Sequence, residues 1–315
     1  MGRLRTPVLF SALAGDWQAL TRWTPEFLKS IADERKVTVV VGNRETYAPR
    51  FRTIALQEYL QLCFFEPAPK DEAHYLKEYD LLAAFPELAA DLDLSLLTFP
   101  GAKTWRFAWV GQRGGRTGFH YDVFNNILTQ LAGTKELVLI PPEQSGNMYP
   151  NSKFDYGARL SKVDGFAPDL IRFPRYKEAL AHARRYTLTP GDALYIPRGY
   201  WHQAESLTPT ISLSGFTANL WERLTVFNWE RLRAAAHKLG LYKHGNCTCH
   251  AEKRATREKH ARNARETHEK RARNARETRG GGEAHRALLD EGARESAPLL
   301  GEAGPGGSCA AQVSL

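Results

Sequence analysis

Residues 117–126 read TGFHYDVFNN. His120 and Asp122 stand two apart within an apolar and aromatic run. On a strand, residues i and i+2 face the same side, so this imidazole and carboxylate point together while Tyr121 takes the opposite face. A carboxylate between Phe119 and Val123 is costly to bury unless it is paired or bound to a metal. A second histidine, His202, lies in another strand-like run, LYIPRGYWHQAES. Two histidines and one carboxylate on neighbouring strands can occupy one face of an octahedron. That arrangement suits non-haem Fe(II) and leaves three positions open. HxD on its own recurs by chance, and a lone buried histidine is commonly only hydrogen-bonded. The surrounding residues therefore decide how much weight the triad carries.

The elements that must position these groups follow from the local texture. From Trp105 onward, short strand-like runs alternate with turn signals: TWRFAWVG, GFHYDVFNNILTQLAG, KELVLIPP, RRYTLTPGD, ALYIPRGYWHQAES and TISLSGF. Many short strands bounded by Gly, Pro, Asn and Asp predict a mainly β fold with flanking helices, an antiparallel barrel or jelly roll. Residues 148–186 have little strand character and read as a long insertion over the barrel mouth. Residues 1–104 read as strands and helices packing on a barrel of residues 105–225. Thr24-Pro25-Glu26 is an N-cap, a proline at the first helical position and an acidic first turn. KVTVVVG is a β-branched strand. TIALQEYLQLCFF and part of HYLKEYDLLAAFPELAADL have helical spacing. A C-terminal helix is expected over 226–245.

The chain has 315 residues, 43% of them hydrophobic, enough for one sizeable core or at most two. No apolar run is long enough for a membrane span or a secretory signal. Gly2 and Thr6 match the loose myristoylation pattern, but Arg3, Arg5 and Pro7 favour an ordinary start. The expected location is the cytoplasm or nucleoplasm. The four cysteines, Cys63, Cys247, Cys249 and Cys309, are irregularly spaced and imply a reducing compartment without a disulfide framework. Cys247, Cys249 and His250 resemble half a zinc site, with no second half in sequence. Of the net charge of +8, residues 251–279 carry +6, from 11 Lys and Arg against 5 Glu. Within them EKHARNARET (258–267) recurs as EKRARNARET (269–278), an eleven-residue period that returns nearly the same helical face. Alanine is its only apolar residue, so there is no stripe to bury. Residues 246–315 read as a solvated, disordered tail; the sharper alternative is a basic arm that touches nucleic acid or acidic protein.

The runs TGFHYDVFNN, GTKELVLIPPEQ, SKVDGFAPDLIRFP and GDALYIPRGYWHQAES, in this order and spacing, resemble the JmjC/cupin-like Fe(II)- and 2-oxoglutarate-dependent oxygenases. The texture is nearest the group containing the asparaginyl hydroxylase of hypoxia-inducible factor. The resemblance covers roughly residues 6–225. It implies a double-stranded β-helix with His120, Asp122 and His202 as iron ligands and catalytic centre. It implies that Thr117, Asn126, Lys135 and Tyr75 contact the co-substrate, Lys135 and Tyr75 at its distal carboxylate, and that Arg159 contacts substrate. The late-strand asparagine of that hydroxylase is matched here by Phe216, with Asn219 three further on. Lys135 also carries an argument of its own. It ends the turn AGTK and starts an apolar strand, where an ammonium either anchors an anion or snorkels to water.

The resemblance implies an oxygenase that uses Fe(II), 2-oxoglutarate and O2 to hydroxylate a side chain of a protein or peptide. A tRNA-modifying or small-molecule oxygenase of the same fold, a lysine demethylase and a catalytically silent cupin used as a binding module are the alternatives. The fold alone does not choose among them. The expected partners are a protein or peptide substrate, nucleic acid through the basic tail, and a second copy of the chain in a homodimer, with no membrane.

Overall fold

A computed structural model describes residues 4–42, 50–68 and 72–247. In them the alternating runs become strands β1 (Val8–Phe10), β2 (Lys36–Val41), β3 (Arg50–Ala55), β4 (His74–Tyr79), β5 (Lys103–Gly111), β6 (His120–Asp122) and β7 (Asn125–Ala132). They continue as β8 (Lys135–Ile140), β9 (Ala158–Leu160), β10 (Arg184–Leu188), β11 (Ala193–Ile196), β12 (Trp201–Ser206) and β13 (Thr210–Ala218). Two antiparallel sheets result. The larger runs β1-β11-β7-β13-β5-β4-β2-β3 and the smaller β10-β8-β12-β6-β9. The fold is therefore the expected mainly antiparallel β architecture of a cupin or JmjC jelly roll. Among the described residues the two sheets face each other without closing into one hydrogen-bonded ring.

Period-two alternation sorts the side chains into layers. Leu128, Leu194 and Ile196 of the larger sheet meet Leu137, Leu139 and Ala204 of the smaller in the space between them. The outer face of the larger sheet, with Val110, Ile127 and Leu213, is covered by the helices Pro25–Ile31 and Leu56–Phe65. The first begins as its residues require: Thr24 Oγ1 accepts from the Phe27 N–H at 3.1 Å, with Pro25 next. The N-terminal strands do more than pack on a barrel, since β4, β2 and β3 extend its larger sheet and β1 pairs with β11. In HYLKEYDLLAAFPELAADL the first six residues are strand β4, and helical turns begin only at Leu81.

The stretch between Met148 and Tyr186 holds β9 and the helix Tyr176–Ala181. Met148, Val163, Phe173, Tyr176 and Ala179 bury Phe119, Val138, Ile140 and Trp201. The insertion thus seals the outer face of the smaller sheet. After β13, Asn219 and Glu222 form a reciprocal capping box that starts the C-terminal helical segment. No helix among the described residues is long and apolar enough to cross a membrane. The described residues fall within one compact unit, residues 1–257. The repeat, Cys249, His250 and Cys309 lie outside the described residues.

Candidate active site

Strands β6 and β12 are neighbours, and their register sets His202 opposite His120. Asp122, two residues along β6, shares that face. Tyr121 and Trp201 alternate to the other side, where their rings meet edge to face at 4.7 Å. The two imidazoles stand 4.2 Å apart between centroids. One carboxylate oxygen of Asp122 is 3.9 Å from His120 Nε2 and the other 3.5 Å from His202 Nε2. All three donor atoms lie within 4.8 Å of one another.

The outer nitrogens fix the tautomers. His120 Nδ1 is 2.7 Å from the Gly118 carbonyl, and His202 Nδ1 is 3.0 Å from that of Tyr200. A carbonyl only accepts, so each Nδ1 carries the proton and each Nε2 turns a lone pair inward. Burial pushes the His202 imidazole down to about 4, which keeps it neutral at pH 7. Burial raises Asp122 well above the usual carboxylate range, with smaller contributions from Glu78 and Asp155. Three electron-pair donors converge here, an arrangement that a shared cation relieves. Two imidazoles and one carboxylate suit a divalent transition-metal ion such as Fe(II). The donor set therefore fits the expected metal.

Beyond the triad a cavity runs between the sheets, lined by Tyr75, Trp109, Thr117, Asn126, Lys135 and Phe216 among others. Lys135, at the start of β8, is 1% exposed. Its Nζ donates to Tyr75 Oη at 3.0 Å and to Ser212 Oγ at 2.6 Å. Ser212 in turn donates to Gln130 Oε1 at 2.7 Å, and the Gln130 amide donates to the Ala132 and Gly133 carbonyls. No carboxylate of the described residues pairs with this ammonium, and burial pushes it down to about 7. Thr117 Oγ1 accepts from the Ala204 N–H at 2.8 Å, which leaves its own hydroxyl proton to donate. Trp109 Nε1 and Asn126 Oδ1 line the cavity and are buried without a hydrogen-bond partner. Gly111 makes room for Tyr75: a Cβ there would stand 2.5 Å from the tyrosine ring.

Of the residues implied by the resemblance, His120, Asp122, His202, Thr117, Asn126, Lys135 and Tyr75 all line this one cavity. Arg159 does not. It sits on β9, its guanidinium 2.7 Å from Glu230 and 2.8 Å from the Ala158 carbonyl. The late-strand position belongs to Phe216, which lines the cavity, whereas Asn219 caps a helix. Ser214 also lines the cavity, where its Oγ accepts from Asn126 Nδ2 at 3.3 Å. Trp109, Gln130, Ser212 and Ser214 carry no sequence assignment. Their only signal is a polar or aromatic residue on the inward side of a strand, and that side depends on register.

The family model described as a cupin-like domain matches residues 3–221. The chain belongs to the cupin-like domain family. It is 29% identical over 236 residues to HSPB1-associated protein 1 of Bos taurus, covering 68% of this chain and 48% of that protein. It is 28% identical over 220 residues to Jumonji C domain-containing protein 5 of Drosophila melanogaster, covering 66% and 53%. It is 27% identical over 217 residues to lysine-specific demethylase 8 of Danio rerio, covering 67% and 52%. The chain thus spans about half the length of these relatives.

Proposed function

We propose that the chain is an Fe(II)- and 2-oxoglutarate-dependent oxygenase that acts on a side chain of a protein or peptide. One observation carries the reading: a buried ammonium with no carboxylate partner shares a cavity with a convergent His-Asp-His triad. A dicarboxylate that chelates a metal through one end needs such a cation at the other. Bound there, Fe(II) and 2-oxoglutarate would supply, with O2 as the oxidant, the chemistry that puts a hydroxyl group on a substrate carbon; one oxygen atom of O2 would go to the substrate and the other into succinate, with release of CO2.

The chain's own residues hold and orient. His120, Asp122 and His202 would hold the metal, and the hydrogen bonds at both Nδ1 atoms keep the rings from turning. Lys135 and Tyr75 would bind the distal carboxylate, with Thr117 donating from the segment that leads into β6. Side-chain exposure is 14% at Asp122 against 1% for Lys135 as a residue. The closed end of the cavity therefore lies at the ammonium and the more open end at the triad, where a substrate side chain would approach. The apolar walls, Leu128, Leu137, Ile196 and Phe216, limit water around the reacting centre.

The relative named as a lysine-specific demethylase supports the reading, since removing an N-methyl group also begins by hydroxylating a carbon. The test is succinate release from labelled 2-oxoglutarate by purified protein with Fe(II) and peptide pools, with Asp122→Ala as the control. A gain of 16 Da on a peptide marks hydroxylation, and a loss of 14 Da marks demethylation. Release no greater than in the Asp122→Ala control across all pools would count against the proposal.

A further inference from the structure

Behind Lys135, at the closed end of the cavity, lie two fully buried polar side chains. Gln130 of β7 and Ser212 of β13 stand opposite each other across the ladder. Buried polar groups are costly unless their donors and acceptors are used. Here the partners dictate which atom does what. Gln130 Nε2 donates to the carbonyls of Ala132 at 2.6 Å and Gly133 at 3.0 Å. Carbonyls only accept, so the amide cannot turn round without setting oxygen against oxygen. Its Oε1 is thereby held towards Ser212 Oγ, 2.7 Å away. That oxygen also only accepts. The single hydroxyl proton of Ser212 must go to it, which leaves the Ser212 lone pairs for Lys135 Nζ at 2.6 Å.

This one-way chain of bonds matters for the lysine. An ammonium donates three times, whereas a neutral amine donates twice and needs a donor in return. Ser212 cannot be that donor while Gln130 holds its proton. The relay therefore suits the ammonium and penalises the amine. One ammonium proton goes to Ser212 and one to Tyr75 Oη. Among the described residues the third meets no acceptor. The neighbouring charges do not supply the preference. Burial raises the Tyr75 phenol, so it stays neutral. Lys77 Nζ lies 5.5 Å from the centre of the same Tyr75 ring and opposes a second positive charge. Glu136 and Glu205, on β8 and β12, bond instead to Arg185 and Arg116. β10 sets Leu188 opposite Lys135. Asp122 and the two histidines belong to the other end of the cavity.

We propose that Gln130 is a positioning residue for the co-substrate: by fixing the direction of the Ser212 hydroxyl, it holds Lys135 in its charged form, with one N–H left to donate, before any anion arrives. This role rests on Lys135 binding the distal carboxylate, as proposed above. A buried carboxylate would also stabilise the ammonium, but it would occupy the cation that an incoming dicarboxylate needs. Two neutral acceptors keep the charge and leave it available.

The test follows the titration of Lys135 in the full chain by NMR of isotope-labelled lysine Cε, without metal or co-substrate; Lys135→Met assigns the signal. The wild-type midpoint should be about 7. Gln130→Met keeps the volume but frees the Ser212 proton, and Ser212→Ala removes the acceptor. Each should lower the midpoint by about one pH unit or more, the worth of a hydrogen bond to a charged group. Gln130→Glu separates positioning from bracing: it still accepts from Ser212 but, ionised, gives the turn no N–H. It should lose stability in urea while the Lys135 midpoint stays at or above the wild-type value. In anaerobic calorimetry with Fe(II) and 2-oxoglutarate, a fall of one unit should make Gln130→Met bind about twofold more weakly at pH 6 and about tenfold more weakly at pH 8. Midpoints unchanged in Gln130→Met and Ser212→Ala, or one that falls as far in Gln130→Glu, would overturn the proposal and leave Gln130 a brace of the turn. If Gln130→Met does not fold, Ser212→Ala and Gln130→Glu decide between them. The NMR titration needs no ligand, so a wild type that fails to bind 2-oxoglutarate would strike the proposed function and not the relay.

Discussion

Lys135→Met separates what the buried ammonium costs the fold from what it contributes to binding. Moving a lysine from 10.5 to about 7 corresponds to about 5 kcal/mol, at about 1.36 kcal/mol per pH unit. Below pH 7 both native and unfolded chains hold the proton, and the native state bears the whole cost. Between pH 7 and 10.5 the unfolded chain still binds a proton that the native state has lost, so wild-type stability rises with pH through this window. Methionine removes the charge at similar length but also two hydrogen bonds, to Tyr75 and Ser212, worth about 1 kcal/mol each. The variant should therefore be more stable than wild type by about 3 kcal/mol at pH 6. It should equal wild type near pH 9 to 9.5 and fall about 2 kcal/mol below it at pH 10.5. Urea unfolding at four pH values measures this directly. Added 2-oxoglutarate should raise the wild-type midpoint by mass action, about 2.7 kcal/mol at one hundred times its Kd, and leave the variant unmoved. A variant that is less stable at pH 6, or a difference that does not change with pH, would refute the idea of a buried, unpaired ammonium.

Three further outcomes follow from the same geometry. Binding of 2-oxoglutarate should take up a proton above pH 7, because an anion beside Lys135 favours its charged form; affinity should fall roughly tenfold per pH unit between about 7.5 and 9, and calorimetry in buffers of different ionisation enthalpy reads the proton directly. Thr117→Val should cost about 1–3 kcal/mol in urea unfolding by orphaning the Ala204 N–H, and should weaken 2-oxoglutarate binding in the same calorimeter. Arg159→Ala should lower stability by about 1–2 kcal/mol, since Glu230 loses one of two guanidinium partners, while succinate release stays within about twofold of wild type; a large loss of turnover would return Arg159 to substrate contact.

The shared face of His120 and Asp122 was legible from the shortest-range rule of a strand, that alternate residues share a face. Their grouping with His202 as a candidate metal site needed the neighbouring strand and took its weight from the resemblance. Lys135 was legible as an ammonium at the mouth of an apolar strand, after a turn that Gly133 makes with φ of 69°. Tyr75 was reached only through the resemblance, since its run mixes strand and helical spacing and becomes β4 by pairing with Gly111 of β5. Trp109, Gln130, Ser212 and Ser214 acquire their roles from cross-strand register over long sequence separations, which local pattern does not encode. The insertion over 148–186 read as a cover for the cavity mouth, yet its apolar residues seal the outer face of the smaller sheet. The C-terminal helix is expected over 226–245, but the helical segment runs from Leu220 to Lys238; that Glu230 is buried and Leu232 exposed depends on Arg159, far away on β9.

The most direct measurement is an anaerobic titration of the purified chain with Fe(II) and 2-oxoglutarate, followed by iron content and visible absorption. The proposed site requires one iron per chain and a charge-transfer band that needs both components. Both signals should vanish in His120→Ala, Asp122→Ala and His202→Ala. The Lys135→Met variant should keep its iron but need a far higher 2-oxoglutarate concentration for the band. Iron that binds equally well to the three triad variants, or a wild-type protein that shows no band with both components present, would contradict the account.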